Sequence, residues 1–254
     1  DSTIKIKKTH NNHSNIIISG YPYPLKNNKI DEIQNIFSKK QYKILILDNL
    51  YSENLNSNDQ FIFRDKYEYF YNSILSLHAK FNDLVFIIKP KKLDKLLKIK
   101  SIHDKILLLK QIDKLILIED SEIDPIHLSY VTDFIFSTGV YFSGALIEAI
   151  NLNNKGVFYD YANTISIEKY LYKWGKNRTI FNNIDKMINE FVYYKSDPSS
   201  NLNFGNWTDK YYEYMKKSNG QLFIKSYISK LFENILLHEK QNSIKYTNDY
   251  FNLN

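Results

Sequence analysis

Cysteine is missing from all 254 residues, which removes disulfide scaffolds and thiolate metal sites from consideration and fits a cytosolic chain. Glycine occurs seven times and proline five, too sparsely for a collagen-like or low-complexity polymer. No apolar run nears the roughly 20 residues that span a bilayer, and no secretory leader is visible. The six histidines, at 10, 13, 78, 103, 127 and 238, are dispersed without zinc-ligand spacing, so no metal is expected. Neither GxxxxGK[ST] nor GxGxxG after the first strand occurs, which argues against nucleotide hydrolysis and the usual dinucleotide fold. The G-x-S-x-G nucleophile elbow is absent too.

What is present is a globular composition: 43% apolar against 24% charged residues, in a chain long enough for one large domain or two small ones. The net charge of +6 comes from 34 basic and 28 acidic residues. Most lysines are scattered, but "KPKKLDKLLKIK" (89–100) is dense, and Lys92, Lys95 and either Lys98 or Lys100 could share a helix face. Three readings of that run stand: a solvated face, contact with anionic lipid or phosphate, or nucleic acid.

Short β-rich runs alternate with helix-period segments. The runs lie at 15–20, 42–49, 84–90, 114–120, 133–138, 155–160 and 178–183. Helices are expected near 29–40, 65–81, 91–111 (broken), 124–131, 143–152, 165–173 and 184–195. Runs that are apolar throughout belong to strands covered on both faces. The fold class is therefore α/β, a doubly wound, mostly parallel, Rossmann-like sheet of six or seven strands closed by C-terminal helices. Residues 1–13 read as an arm or an edge strand, 14–240 as the domain and 241–254 as a tail, with 193–206 as the clearest loop. In the segment 220–240, Phe223, Tyr227, Leu231 and Ile235 fall at helical spacing and predict a packed helix.

In an open parallel sheet, ligands collect at the carboxyl ends of the strands. "DFIFSTGVYFSGALIEAI" then carries the most chemistry. A strand ends at Phe136, and Ser137, Thr138 and Gly139 form a turn in which glycine can take a positive φ or admit a ligand to the backbone. Ser143 can cap the following helix, whose free N–H groups suit a phosphate. Glu148 can accept hydrogen bonds from ribose or sugar hydroxyls. Ser143 as a plain cap and Glu148 as a surface acid remain the alternative. Lys89 ends an apolar strand and either neutralises a phosphate or merely marks the strand end. "EDSEIDP" (119–125) is an acidic loop, with a divalent cation as the lesser reading. Tyr21, Tyr23, Tyr159, Tyr161 and Trp174 can stack on a base or sugar, or simply pack.

These residues resemble the donor-binding, C-terminal lobe of GT-B-type glycosyltransferases, and more narrowly the bacterial surface-carbohydrate (polysaccharide biosynthesis) family. The similarity rests on "ALIEA" with "VFYD", on "FIIKPKK", and on "GYPY", "ILILDN", "YLYKWGKNRTIFNNIDKMINEF" and "GNWTDKYYEY", spanning roughly residues 15–240. "IIKPK" also resembles the His-Pro element of sialyl- and Kdo-type transferases, with lysine in place of histidine, a departure that tells against a CMP donor. "NLNNKGVF" is longer than the usual turn after "EA" and lacks its proline.

The resemblance implies that Ser137, Thr138, Gly139 and Ser143 meet donor phosphate or nucleotide, Lys89 the phosphates, and Glu148 a ribose or sugar hydroxyl. It implies glycosyl transfer from a nucleotide sugar to a carbohydrate or lipid-linked acceptor in surface polysaccharide or glycolipid assembly. No cofactor beyond the donor is expected, the site is expected to be metal-independent, and nucleic acid is not an expected partner. The acceptor lobe and its general base are expected outside this chain, with Asp48 and Asp120 as lesser candidates for the base. The expected location is cytoplasmic, extending to the inner-membrane surface. A non-catalytic nucleotide-sugar-binding or scaffold domain is the alternative, and a basic nucleic-acid or membrane-surface module is a further rival.

Overall fold

The computed structural model describes residues 41–48, 51–52, 62–119, 123–139, 146, 149–150, 154–161, 173–209 and 228–233. Contacts divide the chain into two units, Leu25–Tyr212 and a second formed by Asp1–Pro24 with Glu213–Asn254. Among the described residues, no helix is long and apolar enough to cross a membrane.

The first unit holds β1 (Tyr42–Leu47), β2 (Tyr51–Ser52), β3 (Ile62–Phe63), α1 (Arg64–Leu75), β4 (Leu84–Lys89), α2 (Leu93–Leu97), α3 (Lys100–Gln111), β5 (Leu115–Leu117), α4 (Pro125–Ser129), β6 (Phe134–Thr138), β7 (Gly156–Tyr159), β8 (Ile180–Phe181) and α5 (Ile184–Ser196). Among the described residues, six strands form one sheet in the order β5-β4-β1-β6-β7-β8, and every pairing between them is parallel. This is the doubly wound arrangement expected from the alternating runs. The run at 15–20 lies outside the described residues. Strands β2 and β3 pair as a small parallel sheet that the sequence pattern did not suggest.

Each long helix buries a stripe at helical spacing. In α1 the stripe is Tyr67, Phe70, Tyr71, Ile74 and Leu75; in α3 it is Ile102, Ile106 and Leu109; in α5 it is Ile184, Met187, Phe191 and Tyr194. These stripes share one core with Ile44, Ile46, Phe86, Ile88, Phe134, Phe136, Val157 and Tyr159 of the sheet. The alternate strand residues, including Leu45, Val85, Ile87, Ile135 and Phe158, are buried as well. Both faces are therefore covered, and that is why the runs are apolar throughout. Phe134 anchors the centre, with ring centroids 4.9 Å from Phe191 and 5.4 Å from Phe204. Burying one such ring contributes about 1.5–3 kcal/mol.

Several boundaries move from their sequence positions. The broken helix at 91–111 is two helices, interrupted at Lys98 and Ile99. Lys92 is the extended N-cap of α2, so it does not share a helix face with Lys98 or Lys100 as expected. Helix α5 continues through Ser196, past the expected loop start at 193, because Tyr194 still packs in the core. The turn begins at Asp197, whose carboxylate accepts the Ser199 N–H at 3.1 Å. At the start of β7, a Cβ on Gly156 would meet Leu146 Cδ1 at 2.4 Å and the Ile135 carbonyl at 2.9 Å, so only glycine fits there.

The loop after α5 is tied to the amino edge of the sheet. Lys155 Nζ donates to the Leu202 carbonyl at 2.8 Å and the Phe204 carbonyl at 3.0 Å, and lies 5.0 Å from the centre of the Tyr194 ring. Arg178 donates through Nε to the Asn206 carbonyl at 3.2 Å and through Nη2 to Asn203 Oδ1 at 2.9 Å. Burial, reinforced by nearby Arg178, lowers the Lys155 pKa. In the second unit, residues 228–233 are helical, with Lys230 bonded to Glu233 at 2.8 Å. There Leu231 is half-buried, while Phe223, Tyr227 and Ile235 lie outside the described residues.

Candidate functional site

The carboxyl ends of the central strands lie side by side. Lys89 pairs with Leu47, Leu47 with Ser137, and Ser137 with Phe158, a single row across β4, β1, β6 and β7. Neighbouring strands run about 4.8 Å apart, which sets the Cα atoms of Lys89 and Ser137 roughly 10 Å apart with Leu47 between them. Ile88, Ile46 and Phe136 face the core made with α1, α3 and α5. Their successors Lys89, Leu47 and Ser137 therefore share the opposite face of the sheet. Lys89 is half-buried at the rim.

Strand β6 does not end at Phe136. Its pairing continues through Leu47↔Ser137 and Thr138↔Tyr159, because both flanking strands extend far enough to keep the ladder. The turn starts at Gly139, where φ is 71°, the left-handed region anticipated for this glycine. Its N–H donates to the Tyr159 carbonyl at 3.0 Å. Being strand residues, Ser137 and Thr138 point to opposite faces, and both are 0% exposed. Asp160, which follows β7, is buried, with its N–H on the Phe181 carbonyl at 2.8 Å. Ser143, Glu148 and Asp120 lie outside the described residues, as do Tyr21 and Tyr23. Tyr159 is a packing residue, stacked on Phe70 at 6.2 Å with its hydroxyl pushed up to about 12 by burial. Asp124, from the acidic loop, caps α4 by accepting the Ile126 N–H at 3.0 Å. His127 on that helix is buried, and its Nδ1 has no hydrogen-bond partner among the described residues.

The best-defined polar centre at this edge surrounds Asp48, the residue after β1. Oδ2 accepts from Tyr71 Oη at 2.9 Å and from the Tyr67 hydroxyl, while Oδ1 accepts the Lys91 backbone N–H at 2.8 Å. Asp48 thus ties the loop that follows Lys89 to the sheet. Burial raises the carboxyl above the ordinary carboxylate range, opposed by the Tyr67 hydroxyl, the Lys91 N–H and the Tyr71 hydroxyl. Burial, with Asp48 alongside, holds both phenols well above the usual tyrosine range. Tyr51 extends the group, its ring 5.1 Å from Tyr67 and its face 5.6 Å from Lys95 Nζ. Sequence reasoning named Asp48 but not its partners. The signal was available: Tyr67 and Tyr71 are four apart in "RDKYEYFYNS", which places two phenols on one helix face.

No family model and no curated protein matches the chain. Solved structures similar to it include the C-terminal domain of a group 1 family glycosyl transferase, LpcC, from Francisella tularensis, at 15% identity and a TM-score of 0.44, covering 80% of this chain and 94% of that one. A UDP-GlcNAc 2-epimerase from Neisseria meningitidis has 16% identity and a TM-score of 0.49 over 79% of this chain. The wall teichoic acid polymerase TagF has 15% identity and a TM-score of 0.48 over 82% of this chain. The alignment spans 48% of the epimerase chain and 48% of the polymerase chain, about half of each. Likeness at this level is a likeness of fold, and the fold itself rests on the strand order and register above.

Proposed function

We propose that the chain is the donor-binding lobe of a glycosyltransferase that uses a nucleotide-activated sugar in surface polysaccharide or glycolipid assembly. The observation that carries this reading is the row Lys89–Leu47–Ser137. It sets an ammonium and a hydroxyl-bearing strand end on one face of the sheet, at the edge where open parallel sheets receive ligands. In this reading Lys89 bears on the donor phosphates and stabilises the negative charge that builds on the departing nucleoside phosphate. Gly139 turns the backbone at the end of β6, and Ser143 and Glu148, outside the described residues, are assigned to phosphate and to a ribose or sugar hydroxyl. Ser137 and Thr138 are buried, so a donor reaches their hydroxyls only by displacing what covers them.

Asp48 already accepts three hydrogen bonds, and its role is to hold the Lys89–Lys91 loop rather than to deprotonate an acceptor. Acceptor activation is assigned to residues beyond the described ones, as in the two-lobed enzymes that the sequence resembles.

Binding measurements test the assignment. Ligand that binds only the native state raises the thermal midpoint, so CMP, UDP, GDP and their sugar conjugates are compared on the intact chain. One nucleotide series is expected to stabilise it. Lys89→Ala is expected to weaken that ligand about tenfold, the scale of one charge-assisted contact, without changing the midpoint of the free protein. Ser137→Ala separates a direct contact, which lowers affinity, from a purely structural hydroxyl, which does not. A chain that responds to no nucleotide refutes the reading.

A further inference from the structure

Net charge is concentrated in one place. Between Lys89 and Lys114 there are nine lysines against three aspartates, a surplus of six, which equals the +6 of the whole chain. The other residues together are neutral. The same stretch forms α2 and α3, and α3 presents large apolar side chains to solvent. With Ile102, Ile106 and Leu109 in the core, 100° steps place Lys100, Asp104, Leu107, Leu108 and Gln111 on the outer face. Leu107 is 47% exposed, Leu108 50%, and Ile112, at the C-cap, 49%. Lys100 and Lys110 on the same helix, and Lys98 just before it, are exposed and form no salt bridge among the described residues.

We propose that this outer face of α3, with Lys98 and Lys100 at the start of the helix and Lys110 near its end, docks on an anionic lipid bilayer. Leucine and isoleucine gain free energy by entering the headgroup–acyl boundary, and lysines gain it from anionic headgroups within a Debye length. The two contributions add where exposed apolar side chains and lysines lie along one helix, as Leu107 and Leu108 do between Lys100 and Lys110. Asp104 and Asp113 oppose the effect but are outnumbered.

Other occupants fit less well. Single-stranded nucleic acid is held by basic grooves with aromatic stacking platforms. No Phe, Tyr or Trp occurs from residue 87 to 129, in a chain with 21 tyrosines and 16 phenylalanines. A second copy of the chain in a two-fold contact would set this basic patch against itself. The surface is independent of the strand-end row that includes Lys89, so a chain that binds no nucleotide still tests it.

The test is co-sedimentation of the intact chain with phosphatidylcholine vesicles containing about one quarter phosphatidylglycerol, against pure phosphatidylcholine. Binding is expected to the anionic vesicles only and to fall as salt is raised. Leu107→Ser with Leu108→Ser is expected to lower it about tenfold. The triple reversal Lys98→Glu, Lys100→Glu and Lys110→Glu is expected to abolish it, with thermal midpoints unchanged. Because the chain has no cysteine, Leu108→Cys gives a single labelling site for an environment-sensitive dye even if the serine variants fold poorly. Its emission should rise and shift to the blue on adding anionic vesicles, while a dye on exposed Ser196→Cys should not respond. Absence of sedimentation at low salt overturns the assignment. So does binding unchanged by the leucine substitutions, which would mean a plain polyanion contact, or tighter binding to an oligonucleotide than to vesicles. Self-association that depends on Leu108, without vesicle binding, overturns it in favour of a dimer.

Discussion

Two loops of this protein are fastened to opposite edges of one sheet, each by an ionisable side chain, and the fastenings differ in kind. At the amino edge, Lys155 is consumed by backbone carbonyls and an aromatic face, and Arg178 secures the same loop from beside it. At the carboxyl edge, Asp48 collects two phenols and one amide, and the loop it holds turns its lysines outward. The first arrangement neutralises nothing and exposes little; it is a structural lock. The second spends an anion internally to present cations externally, which suits the phosphate-binding role proposed for that edge. Equal sequence conspicuousness therefore does not mean equal role.

Breaking the amino-edge lock should have the largest effect. Lys155→Met keeps much of the stem but leaves the Leu202 and Phe204 carbonyls without their charged donor, and is expected to cost about 2–3 kcal/mol in urea unfolding. If Tyr67 and Tyr71 are both changed to phenylalanine, Asp48 keeps only the Lys91 amide. The expected loss is about 1–3 kcal/mol at neutral pH, shrinking as pH falls and the carboxyl protonates.

Asp48→Asn sharpens the contrast further through its pH dependence. The folded-state pKa of Asp48 is raised, so its favourable contribution is complete below the unfolded-state value and is lost as pH climbs through the folded one. Wild type should therefore lose stability relative to Asp48→Asn as pH rises from acid toward neutral, read as a growing difference between their thermal midpoints. A flat difference between the two proteins over that range would mean the carboxyl is not raised. The smallest effect is expected from Lys91→Ala, which keeps the amide that Asp48 grips; its midpoint should stay within about 0.5 kcal/mol of wild type. Lys91→Pro removes that amide and should loosen the loop, measured as faster amide exchange at Lys92.

Much of the architecture could be read from the chain. The runs at 42–49, 84–90, 114–120, 133–138, 155–160 and 178–183 each contain one strand of the sheet, because burial on both faces leaves an unbroken apolar mark. The conformation of Gly139 was legible for the same local reason, since a scarce glycine after a strand needs a backbone cause. What was not legible depended on pairing. Whether β6 stops at Phe136 or runs to Thr138 is decided by Leu47 and Tyr159 on other strands, and that choice sends Ser137 and Thr138 to opposite faces. The Asp48 centre joins residues 19 to 43 positions apart and was hidden because tyrosines at helical spacing look like core. The pair β2–β3, two residues each, is too short to leave any periodic trace.

The sheet also tapers. Among the described residues, its inner strands β1 and β4 are six residues long, while the outermost, β5 and β8, have three and two. Short rims offer an incoming chain few unpaired amides and carbonyls to zip onto, so an interior this rich in isoleucine and phenylalanine is kept from nucleating fibrils. Concentrated solutions of the folded protein should stay free of cross-β growth for as long as that narrowing holds.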